Sequence, residues 1–427
     1  MYYSNPANLA IVACPGGESF ANQVIAHLEK QYHNAFNATV EDMSRRFKTD
    51  PEDVIKRIDF INEITTIGMN PHEQDEDGEI TDADTHPRCP DTQLHAPQFK
   101  APARFTMFPN GEFKAEILKS IRGKNIFIIQ DVENHYPLKF NDGTLTKELT
   151  VNDHLMVAYV TVDAVRQAGA HSVTVVVPTY PYARQHKRKG REGVTANRIG
   201  RIFESLGANC LITLDIHSRD IGNSFCRMRL ENLHASYQII RKLSHIVSLD
   251  SEDFVVAAPD TGSIDRNKFY ATALKKPLAL IYKERDYSRV TKDAMDNNIA
   301  DIKLLGNVKD KIVFMADDML GTGGTLLKAM EFLKEQGAKK VLCAISLPLF
   351  SGKAIEFFDK AYQAGLFYRI IGTNAVYHED LLAREWYLSV DVTKLFAQII
   401  SRIHQGLSIS SILDNRDVIV KSFTKKI

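Results

Sequence analysis

The chain has 427 residues, room for two or three domains, and its 44% hydrophobic and 25% charged content is that of a globular protein with a sizeable core. Lys+Arg and Asp+Glu both total 53, so no net field recruits nucleic acid or an acidic membrane, and any anion site has to be built from local groups. The five cysteines are scattered without a CxxC pair, which speaks against a zinc ribbon or a disulfide framework; Cys14, Cys210 and Cys343 lie in apolar runs that suit buried thiols.

The start, MYYSNPANLA, has no basic stretch leading into an apolar one, and no run of about 18 apolar residues follows anywhere. A cytoplasmic protein with no membrane and no nucleic-acid partner is expected. NLAIVAC (8–14) reads as a buried strand, PGGESF as a turn, and the amphipathic stretch after it as a helix ending near Glu29. Residues 37–100 differ in kind. Phe47 to Gly68 has helical spacing, and a polar, acidic stretch follows that reads as a solvated surface insertion or mobile loop rather than a metal site.

FPNGEF (108–113) on its own reads as a β-turn, although Phe108, Asn110 and Glu112 also offer an aromatic face, a donor and an acceptor for a purine ring. An α/β rhythm then sets in: strand 125–130, helix Val151 to Gly169, strand 172–178, helix Val194 to Leu206 closed by Gly207, and strands 210–217, 253–260, 278–284 and 311–318. The strands are continuously apolar, which marks a sheet covered on both faces by helices, and such sheets bind ligands at the carboxyl ends of their strands. Polar residues gather there. Arg184 and Gln185 open a cationic stretch with Lys187, Arg188, Lys189 and Arg191; His217 and Asp260 each end a strand; Lys283 and Arg285 end another and lead into a polar segment suited to closing over a phosphoryl group.

The strongest local signal is KIVFMADDMLGTGGT (311–325). A strand ends in Asp317 and Asp318, a turn Gly321-Thr322-Gly323-Gly324-Thr325 follows, and a helix begins with Leu326, Met330 and Leu333 on its inner face. Converging backbone N–H groups and threonine hydroxyls suit a phosphate, and paired carboxylates suit vicinal hydroxyls or, through water, Mg²⁺. Together they describe a site for a ribose phosphate. GxxxxGK[ST] is absent, so this is not a Walker A loop.

DDMLGTGGT resembles the phosphoribosyl-binding signature shared by type I phosphoribosyltransferases and ribose-phosphate diphosphokinases. FPNGEF, VNDHLM (151–156), PTYPYARQHKRK (178–189), TLDIHS (213–218), APDTGSIDR (258–266), LALIYKERD (278–286) and RIHQGLSISSIL (402–413) resemble, in order, further blocks of the diphosphokinases. The resemblance spans about residues 105–413 and, more weakly, 8–30. It implies two doubly wound parallel-sheet α/β domains of phosphoribosyltransferase type, the first at 1–235 with the helix 396–427 returning to it, the second at 236–395.

The same resemblance implies transfer of the diphosphoryl group of ATP to ribose 5-phosphate. Phe108, Asn110, Glu112, Arg184, Gln185 and His217 would bind ATP. Asp317, Asp318, Thr322, Gly323, Gly324 and Thr325 would bind ribose 5-phosphate. His217 and Asp260 would bind Mg²⁺, and Lys283 and Arg285 would be catalytic. ATP would lie between domains, with part of its site from a neighbouring subunit of a homodimer or hexamer. The chain departs from the pattern in the long 37–100 segment, the extra stretch 136–149, His186 in place of an acid, Glu284 inside the Lys–Arg block, and Gly321 in place of an acidic loop residue. A weakly active regulatory paralogue and a simple phosphoribosyltransferase remain open alternatives.

Overall fold

The computed structural model describes residues 6–57, 97–188, 190–285, 299–413 and 419, without the side chains of 283–285 and 299–301. Lys189, the polar stretch 58–96, the segment 286–298 and most of the chain after Leu413 lie outside the described residues, and with them the readings of those positions. Two compact units emerge, residues 26–99 and the remainder.

The first strand, β1 (Leu9–Ala13), leads into α1 (Glu18–Phe47), which runs 30 residues rather than ending near Glu29. No Gly or Pro interrupts residues 18–47, so good helix formers sustain it after its apolar periodicity fades. It stops at Lys48, φ 50°, where the Thr49 N–H reaches back to the Ser44 carbonyl at 3.2 Å. Residues 51–57 are again helical (α2).

The larger unit carries two main sheets. After the hairpin of β2 (Ala103–Met107) and β3 (Phe113–Ile117) comes β4 (Asn125–Ile129). The extra stretch forms a second hairpin, β5 (Leu138–Phe140) with β6 (Leu145–Lys147), before α3 (Val151–Gln167), β7 (Ser172–Val176), α4 (Thr195–Ser205), β8 (Cys210–Leu214), β9 (Arg229–Leu233) and α5 (Ser236–Ser244). The first main sheet is parallel throughout, in the order β1-β4-β7-β8-β9.

The second half runs β10 (Phe254–Ala258), α6 (Ile264–Leu274), β11 (Leu278–Arg285), β12 (Ile299–Leu305), β13 (Ile312–Leu320), α7 (Gly324–Glu335), β14 (Lys340–Pro348), α8 (Ala354–Gln363), β15 (Arg369–Thr373), α9 (Glu379–Leu382) and β16 (Tyr387–Val390). Its sheet order is β12-β11-β10-β13-β14-β15-β16, parallel except for the β11–β12 pair. Two helices close the described chain, α10 (Thr393–His404) and α11 (Ser410–Leu413). α10 reaches the first sheet: Phe396 meets Phe20 edge-on at 5.1 Å, and the His404 Nδ1 lies 3.1 Å from Asn125 Nδ2.

Every residue of β1, β8 and β10 is buried, which is the outcome of covering both faces of an apolar parallel sheet with helices. Cys14, Cys210 and Cys343 are buried free thiols, and burial pushes Cys14 and Cys210 up to about 12, leaving them inert packing groups. β13 does not end at Asp318. Its ladder with β14 continues through Met319–Leu347 and Leu320–Pro348, so the acid pair sits inside the strand.

Candidate functional site

The strand ends of the larger unit open into a cleft of about 1610 Å³. Nine of the residues expected to bind substrate or metal line it: Arg184, His217, Asp260, Asp317, Asp318, Thr322, Gly323, Gly324 and Thr325. The loop between β13 and α7 owes its shape to Gly323, which caps α7 at φ 76°. A Cβ there would sit 2.3 Å from the Phe358 ring, so a side chain is excluded on both conformational and steric grounds. Leu326, Met330 and Leu333 bury the inner face of α7, and the exposed loop and first turn are left facing the cleft.

The two aspartates differ. Asp317 Oδ1 accepts the Asp318 N–H at 2.9 Å; burial, reinforced by the negative charges of Asp318 and Asp260, pushes its carboxyl up to about 7. Asp318 is also buried, which alone would raise it, but His217 and Arg266 outweigh burial and hold it low. Its Oδ2 lies 2.6 Å from His217 Nδ1 and its Oδ1 accepts the Met319 N–H at 2.8 Å, so both oxygens are engaged within the protein. Asp260 caps the turn into α6, accepting the Ser263 N–H at 2.9 Å. Asn267 then ties α6 to β13, with its Oδ1 accepting the Ala316 N–H at 2.8 Å and its Nδ2 donating to the Ala316 carbonyl at 2.9 Å.

Arg184 crosses from the first sheet to this loop. Its Nη2 donates to the Met319 carbonyl at 3.5 Å, and the guanidinium lies beside Gly321, where an added Cβ would be 3.5 Å away. Neighbouring His186 donates from Nδ1 to the Ala183 carbonyl at 3.1 Å; burial and the nearby His217 hold its imidazole below the usual range.

Sequence reasoning passed over a polar hub in the wall of the cleft, which Asp215, His234 and Arg266 all line. Asp215 follows β8 at φ 42°, and its carboxylate gathers Arg266, His234, Ser346 Oγ and the Ala235 N–H. Asp215 and Arg266 stand in the TLDIHS and APDTGSIDR blocks beside His217 and Asp260, so the signal was adjacent; their pairing, like that of Asp215 with Ser346 at a separation of 131 residues, is tertiary.

The remaining candidates are elsewhere. Phe108, Asn110 and Glu112 occupy the exposed β2–β3 loop, closed by the Phe108 N–H to the Glu112 carbonyl at 2.8 Å, and do not line the cleft. The extra stretch braces that hairpin: Asn141 accepts the Met107 N–H at 2.9 Å and donates to the Met107 carbonyl at 3.1 Å. Gln185 turns back on Tyr182 through its N–H at 2.8 Å and does not line the cleft. Lys283 and Arg285 lie on the backbone of β11, with their side chains outside the described residues. Among the described residues no group of three or more His, Cys, Asp or Glu is arranged to hold a metal unaided. The carboxylates that line the cleft are Asp215, Glu231, Asp260, Asp265, Asp317 and Asp318, with His217 and His234 beside them.

Residues 228–380 match the family model of the phosphoribosyl transferase domain, and residues 93–207 that of the N-terminal domain of ribose phosphate pyrophosphokinase. Sheet order, loop and match together define a protein of the phosphoribosyltransferase fold class. The crystal structure of phosphoribosylpyrophosphate synthetase from Mycobacterium smegmatis shares the fold, with a TM-score of 0.64 at 20% identity, covering 93% of this chain and 99% of that one. Ribose-phosphate pyrophosphokinase A of Dictyostelium discoideum is 33% identical over 310 residues, 72% of this chain and 88% of the relative. Ribose-phosphate pyrophosphokinase 2 of Schizosaccharomyces pombe is 31% identical over 305 residues, 71% and 86% respectively. The chain belongs to the ribose-phosphate pyrophosphokinase family.

Proposed function

We propose that the protein transfers the β,γ-diphosphoryl group of ATP to the anomeric hydroxyl of ribose 5-phosphate, giving 5-phosphoribosyl 1-diphosphate and AMP. The observation that carries this reading is the meeting of Arg184 and the 317–325 loop in one cleft, which would supply adjoining sites for a polyphosphate and a ribose phosphate. In this reading the O1 atom loses its proton to water and forms a bond to the β-phosphorus, the bond to the α,β-bridging oxygen breaks, and that oxygen leaves on AMP. Such a transfer asks for in-line positioning and charge stabilisation rather than a covalent intermediate.

Asp317 would hold the ribose hydroxyls, and Asp318 would join it there or orient His217. Thr322, Gly323, Gly324 and Thr325 would hold the 5-phosphate with loop N–H groups and hydroxyls. Arg184 and Gln185 would bind the ATP phosphates, and Phe108, Asn110 and Glu112 the adenine. That last set is exposed on a hairpin outside the cleft, which favours its use in the site of a neighbouring subunit and so a homodimer or hexamer. Lys283 and Arg285 would stabilise the transferring group. His217 and Asp260 would hold Mg²⁺, which supplies charge neutralisation on the phosphates.

We assign the two domains to 1–235 with 396–427 and to 236–395, and the protein to the cytoplasm; among the described residues no helix is long and apolar enough to cross a membrane. The deciding experiment incubates pure protein with ATP, Mg²⁺ and ribose 5-phosphate and separates the nucleotides. AMP that appears only with ribose 5-phosphate and Mg²⁺ supports the reading. ADP as product, or no turnover, overturns it, and the second result is the one a regulatory paralogue would give.

A further inference from the structure

We propose that His186 and His217 form a two-imidazole subsite that binds a late first-row divalent cation, Co²⁺, Ni²⁺ or Zn²⁺, in preference to Mg²⁺. The two rings lie with centroids 5.1 Å apart and planes at 71°. Each ring is fixed through Nδ1 by an oxygen that only accepts. His186 faces the Ala183 carbonyl at 3.1 Å, and His217 faces the Asp318 carboxylate at 2.6 Å. The Nδ1 atoms therefore carry the protons, and in the neutral rings both Nε2 atoms keep a lone pair. An imidazole anchored at one nitrogen by a carboxylate or a backbone carbonyl is the arrangement that stands behind metal-bound histidines and makes the other nitrogen a better donor. Two imidazoles bound at about 2.1 Å to one tetrahedral ion have their centroids roughly 5 Å apart, the spacing seen here.

The sequence gives this pair a chain-specific character. His186 stands where the resembled YARQD pattern carries an acid. An acid beside one histidine makes a site of mostly oxygen character, which suits Mg²⁺; a second imidazole moves the site toward metals that favour nitrogen. Only two protein ligands are assigned, so water and substrate phosphate would complete the coordination. The subsite rests on the proposed placing of the metal and ATP phosphates at His217, and its test is separable from turnover.

The full chain, without nucleotide, is titrated with Co²⁺ by visible absorption and calorimetry, then challenged with excess Mg²⁺. The wild type is compared with His186→Phe, which keeps a ring and removes the donor, and with His186→Asp, which restores an acid. We expect the wild type to bind one more Co²⁺ equivalent than His186→Phe, or to bind it at least about tenfold more tightly, and to keep it against Mg²⁺. His186→Asp should release it to Mg²⁺. Equal Co²⁺ binding in the wild type and in either variant overturns the subsite and leaves the ring pair as edge packing; His186→Asp alone decides the matter if His186→Phe fails to fold. Loss of AMP formation alongside a His186-dependent Co²⁺ signal would count against the proposed reaction and not against this subsite.

Discussion

The Asp215 carboxylate and the largely buried Arg266 guanidinium form an ion pair at 3.2 Å in the wall of the cleft, between elements of the two sheets. Burial alone would raise the Asp215 carboxyl, but Arg266, His234 and Ser346 outweigh it and hold it well below the usual range. Asp215 comes from the end of β8, Arg266 from α6, and Ser346 from β14, so one carboxylate fixes elements from both halves.

Asp215→Asn should therefore destabilise the fold by about 3 kcal/mol at neutral pH, because it strands a mostly buried guanidinium. A folded pKa below the unfolded one gives stability that is present above about pH 4 and is lost as pH falls toward the folded value. Urea unfolding should show a constant gap between wild type and variant from pH 5 to 8 and a shrinking gap below pH 4. A variant as stable as the wild type at pH 7 would show that the pair is not a structural tie.

Asp317 should govern ribose 5-phosphate binding through its ionisation. With its carboxyl near 7 in the free protein, kcat/KM for ribose 5-phosphate should rise through about pH 7 as the acceptor form appears. The stability of the free protein should run the other way. A raised folded pKa gives stability that is full below the unfolded pKa and lost as pH rises through about 7. Asp317→Asn should flatten both profiles and weaken ribose 5-phosphate binding by roughly 1.5–3 kcal/mol, with less effect on ATP. A profile unchanged by the substitution would place the titrating group elsewhere.

Gly323→Ala tests the phosphate loop by geometry alone. The added methyl meets Phe358 at 2.3 Å and the backbone resists φ 76°, so the loop must shift. KM for ribose 5-phosphate should rise at least about tenfold and stability should fall by about 1–2 kcal/mol. Gly365→Ala is the control: it has a similar φ of 71°, its Cβ would meet nothing within 4 Å, and it does not line the cleft. Equal KM values for the two variants would exclude a special role for the Gly323 conformation.

What the chain declared in advance were the features set by neighbours in sequence. Continuous apolar runs gave β1, β4, β7, β8, β10, β11 and β13 but not β9, β14, β15 or β16, and Asp317 through Thr325 gave the loop, because strand, turn and helix start are contiguous. The length of α1 was missed because the reading followed apolar periodicity and gave no weight to the absence of any breaker up to Phe47. The run of β13 past its acids was missed because the ladder with β14 supplies it. The hub of Asp215, Arg266 and Ser346, the His217–Asp318 contact across 101 residues, and the hold of Asn141 on Met107 are tertiary pairings that no local pattern encodes.

Lys283 is the remaining test, and its position in the sheet explains why. β10 pairs with β11 only as far as Ala258 with Leu280, while β11 continues to Arg285. From Ile281 onward β11 is paired with β12 alone, with Lys283 opposite Ile302 and a register shift between Glu284 and Arg285. Lys283 thus lies on a two-stranded arm past the carboxyl edge of its parallel neighbour, the edge that also carries Asp260. An arm held by one ladder costs less to move than a strand held by two, and the role proposed for Lys283 is to meet the diphosphoryl group only after both substrates are bound. An interaction made only in the transition state lowers kcat and kcat/KM together and leaves ground-state binding alone. Lys283→Ala should therefore cut kcat by on the order of 10²–10³ with both KM values close to those of the wild type. Rapid-quench measurement of AMP in a single turnover would place the loss in the chemical step. A variant within about twofold of the wild-type kcat is what removal of an ordinary surface lysine would give, and it would withdraw Lys283 from the catalytic set.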